Sequence, residues 1–336
     1  MNTSLTDYIK QIPKAELHLH IEGTFEPELM FKIADRNKIK IDYNSVDDLK
    51  TAYNFNNLQE FLDIYYAGAQ VLQTEEDFYD LTWSYFLKAN EDNIIHAEIM
   101  FDPQTHTHRG VPFETVIEGI SKALKDAERK LGITSKLIMS FLRHLDQNSA
   151  FEIYDYFKNH RDKIHAVGLD SSEIGNPPSI FTDVFKRAKD DGLKITAHAG
   201  EEGPPEYVWE ALDILNVHRI DHGNRSLEDE NLIKRIAEQK IVLTVCPLSN
   251  LKLKVVKDLK KHPLKRMLGY GIKATVNSDD PAYFGGYIND NFIQTAEAID
   301  LTKEDIFTLV QNSFEASFVS DERRTEMMSE LSKFQV

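Results

Sequence analysis

Eight short apolar runs, separated by segments with helical periodicity, constrain the fold of this chain more than any other feature of its sequence. The runs lie at residues 17–23, 94–101, 137–142, 164–170, 194–198, 219–222, 241–246 and 272–277. Several are apolar along their whole length, which is typical of parallel strands covered on both faces. Eight strand–helix repeats within 336 residues predict an α/β fold, a (β/α)8 TIM barrel. An open doubly wound sheet is the alternative, but no G-x-G-x-x-G motif follows any strand.

The segment between the first two strands is long and rich in aromatic residues. Residues 24–37 show a helical period with Thr24 as the expected N-cap, and residues 41–92 hold two further helical patterns and no strand. We therefore expect a helical insertion at about 41–92 that covers the pocket as a lid. Residues 289–336 are expected to form extra C-terminal helices that close the fold. No linker interrupts the chain, so we predict a single metal-dependent hydrolase barrel domain over residues 1–336.

Charge and cysteine content restrict the function classes. The net charge of −16 and the pI near 5.2 disfavour a nucleic-acid surface, and the densest basic stretch, 252–265, is interpreted as a solvated helix face. The one cysteine, Cys246, excludes an internal disulfide and the two-cysteine pattern of one class of zinc deaminases. No signal peptide or membrane-length apolar run is apparent. We predict a cytoplasmic protein whose partner is a small molecule rather than nucleic acid or a membrane.

The first of the eight runs carries two histidines, His18 and His20, that alternate with aliphatic residues. Side chains two positions apart on a β-strand share a face, so both imidazoles point the same way. Two adjacent neutral imidazoles are a natural start to a site for zinc, iron or nickel. The alternative is a pair of histidines on a half-buried strand. Other metal ligands at later strand ends would decide between the two.

Further titratable side chains follow three later strands, at the end of the barrel where such folds place their chemistry. They are His198 with Glu201–Glu202, Asp221–His222, and Asp279–Asp280. Each alone has an ordinary structural explanation, because a histidine can be a hydrogen-bonded core residue and paired acids can cap a turn or face solvent. Together at one barrel mouth they indicate a shared site.

The combination of three imidazoles and one carboxylate suits a single zinc-type ion that keeps one position open for water. Such an ion lowers the pKa of its bound water to roughly 7. The reaction class that follows is hydrolysis or hydrolytic deamination. A glutamate that a dry pocket keeps neutral could donate a proton to the substrate, and a further imidazole could take one from the water.

Four motifs resemble, in order and spacing, the adenosine and adenine deaminases of the amidohydrolase superfamily. They are His18-Leu-His20, His198-Ala-Gly-Glu201, His222-Gly223 and Ser278-Asp279-Asp280-Pro281. The likeness runs from about residue 13 to residue 292. Five stretches are similar to the adenine deaminase branch, at residues 20–23, 102–106, 168–178, 201–207 and 281–287. The resemblance implies zinc-dependent hydrolytic deamination of adenine to hypoxanthine and ammonia in purine salvage.

The resemblance also implies a role for each residue of these motifs. The implied ligands of one Zn²⁺ per chain are His18, His20, His198 and Asp279. Glu201 would protonate the ring nitrogen N1 while hydroxide attacks C6. His222 would orient the hydroxide and stabilise its charge or accept its proton, and Asp280 would hydrogen-bond N7. Fe²⁺ or Mn²⁺ could occupy the same ligands.

Glu22 marks a departure from the adenosine branch, which carries an aspartate that meets the ribose. One extra methylene would push the Glu22 carboxylate into the ribose space, so we predict that Glu22 contacts the substrate and favours a free base. The loop at residues 170–173 is also shorter than the equivalent loop of adenosine deaminases, so Ser171 and Ser172 are given no role. Glu173 is either a substrate contact or a salt-bridge partner within its loop.

Several features allow a second interpretation. The same site could act on N6-substituted adenines or adenosine, and an inactive barrel could bind a purine. Cys246 is either a nucleophile or a small core residue, with no argument for a depressed pKa. His106-Thr-His108 repeats the H-x-H spacing in an expected loop, where a surface or pocket-rim position is predicted rather than a second metal. Glu202 is interpreted as solvated or capping, and no oligomeric state is predicted.

Overall fold

The structure, a computed structural model, describes residues 4–335 and is built around eight parallel strands that pair in chain order. The strands are β1 (Lys14–His20), β2 (Ile94–Phe101), β3 (Thr134–Leu142), β4 (Ile164–Asp170), β5 (Lys194–Ala199), β6 (Arg219–His222), β7 (Val242–Val245) and β8 (Lys273–Val276). The ring closes through Asp279, whose N–H donates to the His18 carbonyl at 3.1 Å and whose carbonyl accepts from the His20 N–H at 3.0 Å. The predicted (β/α)8 barrel is confirmed.

The first strand begins three residues earlier than the sequence predicts, at Lys14 rather than Leu17. Lys14 and Glu16 are polar, yet they are 1% and 0% exposed. The Lys14 Nζ donates to the carbonyls of Ile12 and Asp92 at 2.8 and 2.9 Å, and the Tyr85 hydroxyl donates to Glu16 at 2.8 Å. Because most of these partners lie far away in the sequence, the local pattern could not reveal that the strand starts with buried polar residues.

Helices follow the strands and form the outer layer of the barrel. In chain order they are α1 (Leu5–Gln11), α2 (Pro27–Asn37), α3 (Val46–Ala52), α4 (Leu58–Ala69), α5 (Glu75–Glu91), α6 (Pro103–Thr107), α7 (Phe113–Leu131), α8 (Gln147–Phe157), α9 (Thr182–Asp190), α10 (Pro205–Glu210), α11 (Glu230–Gln239), α12 (Pro247–Lys252), α13 (Leu264–Gly269), α14 (Pro281–Phe284), α15 (Ile288–Ile299), α16 (Lys303–Ala316) and α17 (Asp321–Ser332). A π-helical turn, Ala211–Leu215, extends α10.

Two predicted helix boundaries are wrong. α2 begins at Pro27 rather than after Thr24, because Thr24 lies in a 3-10 turn and its hydroxyl donates to the Ile21 carbonyl at 2.7 Å. The basic stretch 252–265 does not form one helix: α12 ends at Lys252, and turns lead from there to α13.

The predicted helical insertion after β1 is present. Residues 41–92, all within the described part of the chain, form α3, α4 and α5 and contain no strand. Side chains of α4 line the same cavity as residues at the strand ends, and the Phe61 ring lies 4.6 Å from the Phe284 ring, centroid to centroid. The insertion therefore covers the carboxyl end of the barrel. Its motion as a lid stays a prediction.

The C-terminal helices α15–α17 follow β8, as predicted, and they bring Phe318 to the amino end of the barrel. There Phe318 packs on an inner group formed by Met100, Ile138 and Ala166. Within residues 4–335, none of the helices combines the length and apolar character that a membrane crossing requires. The prediction of one domain over residues 1–336 reaches beyond the described residues and stays a prediction.

Candidate metal centre and active site

Four side chains from the ends of three strands converge at the carboxyl end of the barrel. The Nε2 atom of His198 lies 3.1 Å from Nε2 of His18 and 3.2 Å from Nε2 of His20. The Asp279 Oδ1 atom lies 3.3 Å from Nε2 of His18 and 3.5 Å from Nε2 of His20. Ligands about 2.0–2.1 Å from a tetrahedral zinc ion stand about 3.3 Å apart. The four separations therefore have the spacing of a tetrahedral donor set.

The far nitrogens of two of the imidazoles face acceptors. His18 Nδ1 donates to the Thr244 carbonyl at 3.1 Å, so the ring proton sits on Nδ1 and Nε2 can offer its lone pair to an ion. His198 Nδ1 faces Asp221 Oδ2 at 3.6 Å, and Asp221 accepts from the hydroxyls of Thr196 and Thr244 at 2.6 and 2.7 Å. Burial, with the neighbouring imidazoles, holds the pKa of His198 well below its usual value, so His198 is neutral. Imidazole nitrogens that converge on a carboxylate at this spacing suit a shared cation.

His222 is a further neighbour of this centre. Its Nε2 lies 3.9 Å from Asp279 Oδ2 and 3.5 Å from Glu201 Oε2. One donor atom each of His18, His198, His222 and Asp279 lies within 4.8 Å of the others, so His222 is also close enough to approach an ion. Burial and the nearby His18 lower the pKa of His222 to about 3, which leaves its nitrogen a proton acceptor.

Glu201 presents a carboxyl group that the structure leaves partly unsatisfied. It is 5% exposed, and its Oε1 atom has no hydrogen-bond partner among the described residues. Burial, together with the charges of Asp279, Glu202 and Glu173, raises the pKa of Glu201 well above its usual value. A carboxyl group in these surroundings holds a proton at neutral pH and can donate it.

Glu173 fixes the loop that carries Glu201, a role that sequence reasoning missed. Its carboxylate accepts the backbone N–H groups of Gly200, Glu201, Glu202 and Gly203 at 2.7, 3.0, 2.9 and 2.7 Å. Its partners are amides rather than a cation, so the alternative of a salt bridge within its loop is wrong. A contact between Glu173 and the substrate stays a prediction. Only the strand-end position of 170–173 could have drawn attention to it.

Asp280 approaches the turn after β1 closely. A Cβ atom added to Gly23 would lie 2.0 Å from the Asp280 Oδ1 atom, so only glycine leaves room for this carboxyl group. Asp280 is 5% exposed, and its Oδ1 atom has no hydrogen-bond partner in the described structure. Burial and the adjacent Asp279 raise its pKa well above the usual value. Asp280 can therefore donate a hydrogen bond to a ring nitrogen.

Two residues of the centre have backbone conformations that are rare outside glycine. His222 and Asp279 both have a φ of 64°, in the left-handed region. Each such position costs of order 1 kcal/mol or more, and such positions cluster at functional sites.

The side chains of the centre lie at the base of a cavity at the carboxyl end of the barrel. Its polar wall includes His20, His198, His222, Asp279, Asp280 and Glu201. Its roof is apolar and aromatic, with Leu58, Phe61, Leu62, Tyr65, Tyr66 and Phe284. An apolar roof over a few convergent polar groups is typical of a small-molecule site.

Glu22 does not line this cavity. His106 Nε2–H donates to Glu22 Oε1 at 2.7 Å, and the backbone N–H of Asp102 donates to the same atom at 3.2 Å. A direct contact between Glu22 and a ligand stays a prediction. The surface or rim position predicted for His106 is wrong, since His106 is fully buried on α6, whereas His108 is exposed.

Three more residues of this region were missed because only strand ends with histidines or paired acids were considered. Asp102 directly follows β2, Asp170 ends β4, and both line the cavity. Arg143 directly follows β3, and its Nη1 donates to the His198 carbonyl at 2.7 Å. A uniform inspection of all eight strand ends would have found them.

The remaining candidates lie close to the site without an evident chemical part. Ser171 lines the cavity, with its Oγ 3.1 Å from the Tyr66 hydroxyl and 2.7 Å from His144 Nδ1. Glu202 is half-buried. Cys246 is fully buried, and burial raises the pKa of its thiol well above the usual value, as in a core residue rather than a nucleophile.

Known proteins resemble this chain over almost its whole length. The adenosine deaminase family profile matches residues 13–334. An adenine deaminase of Acinetobacter baylyi is 58% identical over 99% of this chain and 100% of that one, and one of Caulobacter vibrioides is 56% identical over 96% and 94%. The crystal structure of adenine deaminase from Arthrobacter aurescens superposes with a TM-score of 0.95 at 48% identity, covering 96% of this chain and 99% of that chain. An amidohydrolase from Burkholderia ambifaria with bound Zn gives 0.90 at 26% identity, covering 99% and 95%.

Proposed function

This chain belongs to the adenosine deaminase family, and from that premise we propose that it is an adenine deaminase, converting adenine and water to hypoxanthine and ammonia. Relatives named adenine deaminase that are 55–58% identical over nearly the full chain support the activity. The observation that carries the mechanism is the tetrahedral spacing of three imidazole nitrogens and one carboxylate oxygen beside the buried Glu201.

The proposed ligands of one zinc ion are His18, His20, His198 and Asp279. The ion, when bound, supplies a water molecule with a pKa of about 7. The imidazole Nε2 donors and their spacing suit zinc, and Fe²⁺ or Mn²⁺ suit the same donors. Thr244 and Asp221 would keep two of the imidazoles in the tautomer that this role requires.

The chain's own residues would move the protons of the reaction. Water adds across the N1–C6 bond of adenine, so that its oxygen joins C6 while Glu201 gives its proton to N1. His222, which burial keeps neutral, accepts a hydrogen bond from the water and takes its proton. Asp280 donates to N7. The amino group then leaves C6 as ammonia with the proton held by His222, and the C6 hydroxyl returns a proton to Glu201 as the carbonyl of hypoxanthine forms.

The product suggests the biological setting. Hypoxanthine is a free purine base, so we assign the reaction to purine salvage. The proposed location is the cytoplasm, where a single unpaired thiol such as Cys246 stays reduced.

The experiment is a substrate panel with metal analysis. We expect the purified enzyme to contain about one Zn²⁺ per chain and to release ammonia from adenine, with a much lower kcat/KM for adenosine and for N6-methyladenine. Glu201→Gln should abolish turnover while the metal content stays unchanged. Faster turnover of adenosine than of adenine would overturn the substrate assignment, and an active Glu201→Gln variant would remove Glu201 from the mechanism.

A further inference from the structure

Four carboxyl groups on the cavity wall each keep at least one oxygen with no hydrogen-bond partner in residues 4–335. They are Glu201, Asp280, Asp102 and Asp170. The proposed reaction gives the first two a partner each, N1 and N7 of the purine. Asp102 and Asp170 are 3% and 2% exposed and have no assigned role. Buried polar groups without partners are costly, so these two indicate a further donor on the ligand.

Asp102 and Asp170 form a pair beside His20. His20 Nδ1 lies 3.4 Å from Asp170 Oδ2 and 4.0 Å from Asp102 Oδ1, while its Nε2 faces the proposed ion. The pair therefore stands one imidazole ring further from the ion site than the metal ligands. The Tyr65 hydroxyl in the roof donates to Asp102 Oδ2 at 3.0 Å. Asp102 and Asp170 also share a hydrogen bond with each other, and the pair still presents acceptor oxygens to the cavity.

The order of strands around the barrel relates this pair to the purine. Asp280 follows β8, and Glu201 follows β5. A purine with N7 at Asp280 and N1 at Glu201 would place the edge opposite C6, which carries N3 and N9, one six-membered ring further from the ion. Asp102 and Asp170 stand at the ends of β2 and β4, on the arc of wall between these two contacts.

We propose that Asp102 and Asp170 accept a hydrogen bond from N9–H of the free base and thereby select a base over a nucleoside. This inference rests on the proposed function. A nucleoside has a ribose carbon on N9, so it offers no proton there and would place that carbon against the two buried carboxyl groups instead of a donor. Sites built to bind an N–H reject analogues that lack it, by factors that reach about 10⁴.

Glu22, the determinant predicted from the sequence, would act only indirectly in this scheme. Its carboxylate lies outside the cavity lining and holds the backbone N–H of Asp102 together with His106. Selection by Glu22 and selection by the pair Asp102 and Asp170 therefore predict different results for the same substitutions, so an experiment can distinguish them.

The experiment measures the affinity of the metal-loaded enzyme for two unreactive ligands by calorimetry. One is hypoxanthine, and the other is its analogue with a ring oxygen in place of N9–H, which adds no bulk. We expect hypoxanthine to bind the unmodified enzyme about 100-fold more tightly than the analogue. The ratio should fall below about 10-fold in Asp102→Asn/Asp170→Asn and remain unchanged in Glu22→Gln. Tyr65→Phe, which keeps both carboxyl groups, should give an intermediate ratio.

Metal content and melting temperature identify any variant that is misfolded or has lost its ion, and Tyr65→Phe serves if the double variant does not fold. The inference would be overturned if the affinity ratio of hypoxanthine to the analogue were unchanged in both the double variant and Tyr65→Phe. It would also be overturned if only Glu22→Gln abolished the preference for hypoxanthine. Adenine turnover is measured in parallel. If the unmodified enzyme deaminates adenine but the affinity ratio does not change in the variants, the role of Asp102 and Asp170 is refuted and the proposed function stands. If the unmodified enzyme does not deaminate adenine, the proposed function itself is refuted.

Discussion

Two buried carboxyl groups, one within strand β2 and one directly after it, have opposite surroundings. Glu98, toward the amino end of the barrel, accepts from Arg219, from the backbone of Phe318 and from His96 Nε2 at 3.3 Å, while the Arg219 guanidinium stacks 3.9 Å from the Phe318 ring centroid. Asp102, just past the carboxyl end, accepts from the Tyr65 hydroxyl and lies against the carboxyl group of Asp170.

The pKa directions of the two groups differ accordingly. Burial raises the pKa of Glu98, but Arg219 and His96 outweigh it and hold the pKa below its usual value. At Asp102, burial and the charge of Glu22 raise the pKa. The amino end thus satisfies its charges within the chain and contributes stability. The carboxyl end leaves acceptors for a ligand, and its charges are a cost to the folded state until one binds.

The largest effect is expected at the amino end, from Arg219→Met. The substitution leaves Glu98 buried without its cation, which should destabilise the protein by about 3–5 kcal/mol. The enzyme that remains folded should keep its kcat, because Arg219 does not line the cavity. Urea unfolding and adenine turnover measure the two effects. Arg219→Met with Glu98→Gln should regain much of the loss, and a double variant no more stable than Arg219→Met would contradict the role of the pair.

The pH dependence of stability should have opposite signs at the two ends. Burial raises the pKa of Glu22 from 4.5 to about 7, so its contribution is present below pH 4.5 and lost as the pH rises through 7. That shift corresponds to about 3 kcal/mol at alkaline pH. The lowered pKa of Glu98 makes its contribution present above its usual pKa and lost as the pH falls.

Unfolding midpoints between pH 3 and 9 check this contrast. Glu22→Gln should reduce the decline toward alkaline pH, and Glu98→Gln should reduce an acid-side decline at the expense of overall stability. If the two variants flattened the same side of the profile, the contrast between the ends would be wrong.

Glu173→Gln should lower kcat by about 10²-fold with a smaller change in KM. The Gln amide would direct its own N–H groups at some of the backbone N–H groups that now donate to Glu173. The loop that carries Glu201 would therefore shift. Misplacement of a catalytic group by about 1 Å lowers the rate by a factor of this size. Glu202→Gln, on the same loop and half-buried, is the matched control and should keep most of the activity. Equal effects from the two substitutions would argue against a positioning role.

The smallest effect is expected at Cys246. Although it follows β7 and its Sγ lies 3.4 Å from His18 Nδ1, it is fully buried with a raised pKa. Maleimide treatment of the folded enzyme should leave activity unchanged, and Cys246→Ala should cost about 1 kcal/mol or less. Inactivation that adenine prevents, at a rate faster than unfolding, would show instead that this thiol is accessible from the site.

The sequence predicted the barrel well because continuous apolar runs and helical periods are local signals. It also predicted which histidines and acids come together, since strand ends of a barrel meet at one face. It could not predict Glu173, whose partners are backbone amides 27 to 30 residues further on. Nor could it distinguish Glu98 from Asp102, because the difference lies in whether a distant arginine reaches the carboxyl group.

The left-handed backbone at His222 and Asp279 has a consequence for adaptation to heat. Glycine at either position would relax the chain, so a search for variants that survive higher temperatures would favour replacing these two residues early. Such variants would gain heat tolerance and lose the imidazole or the carboxylate on which turnover is proposed to depend. A thermostability screen of this enzyme therefore needs an activity filter at these two positions.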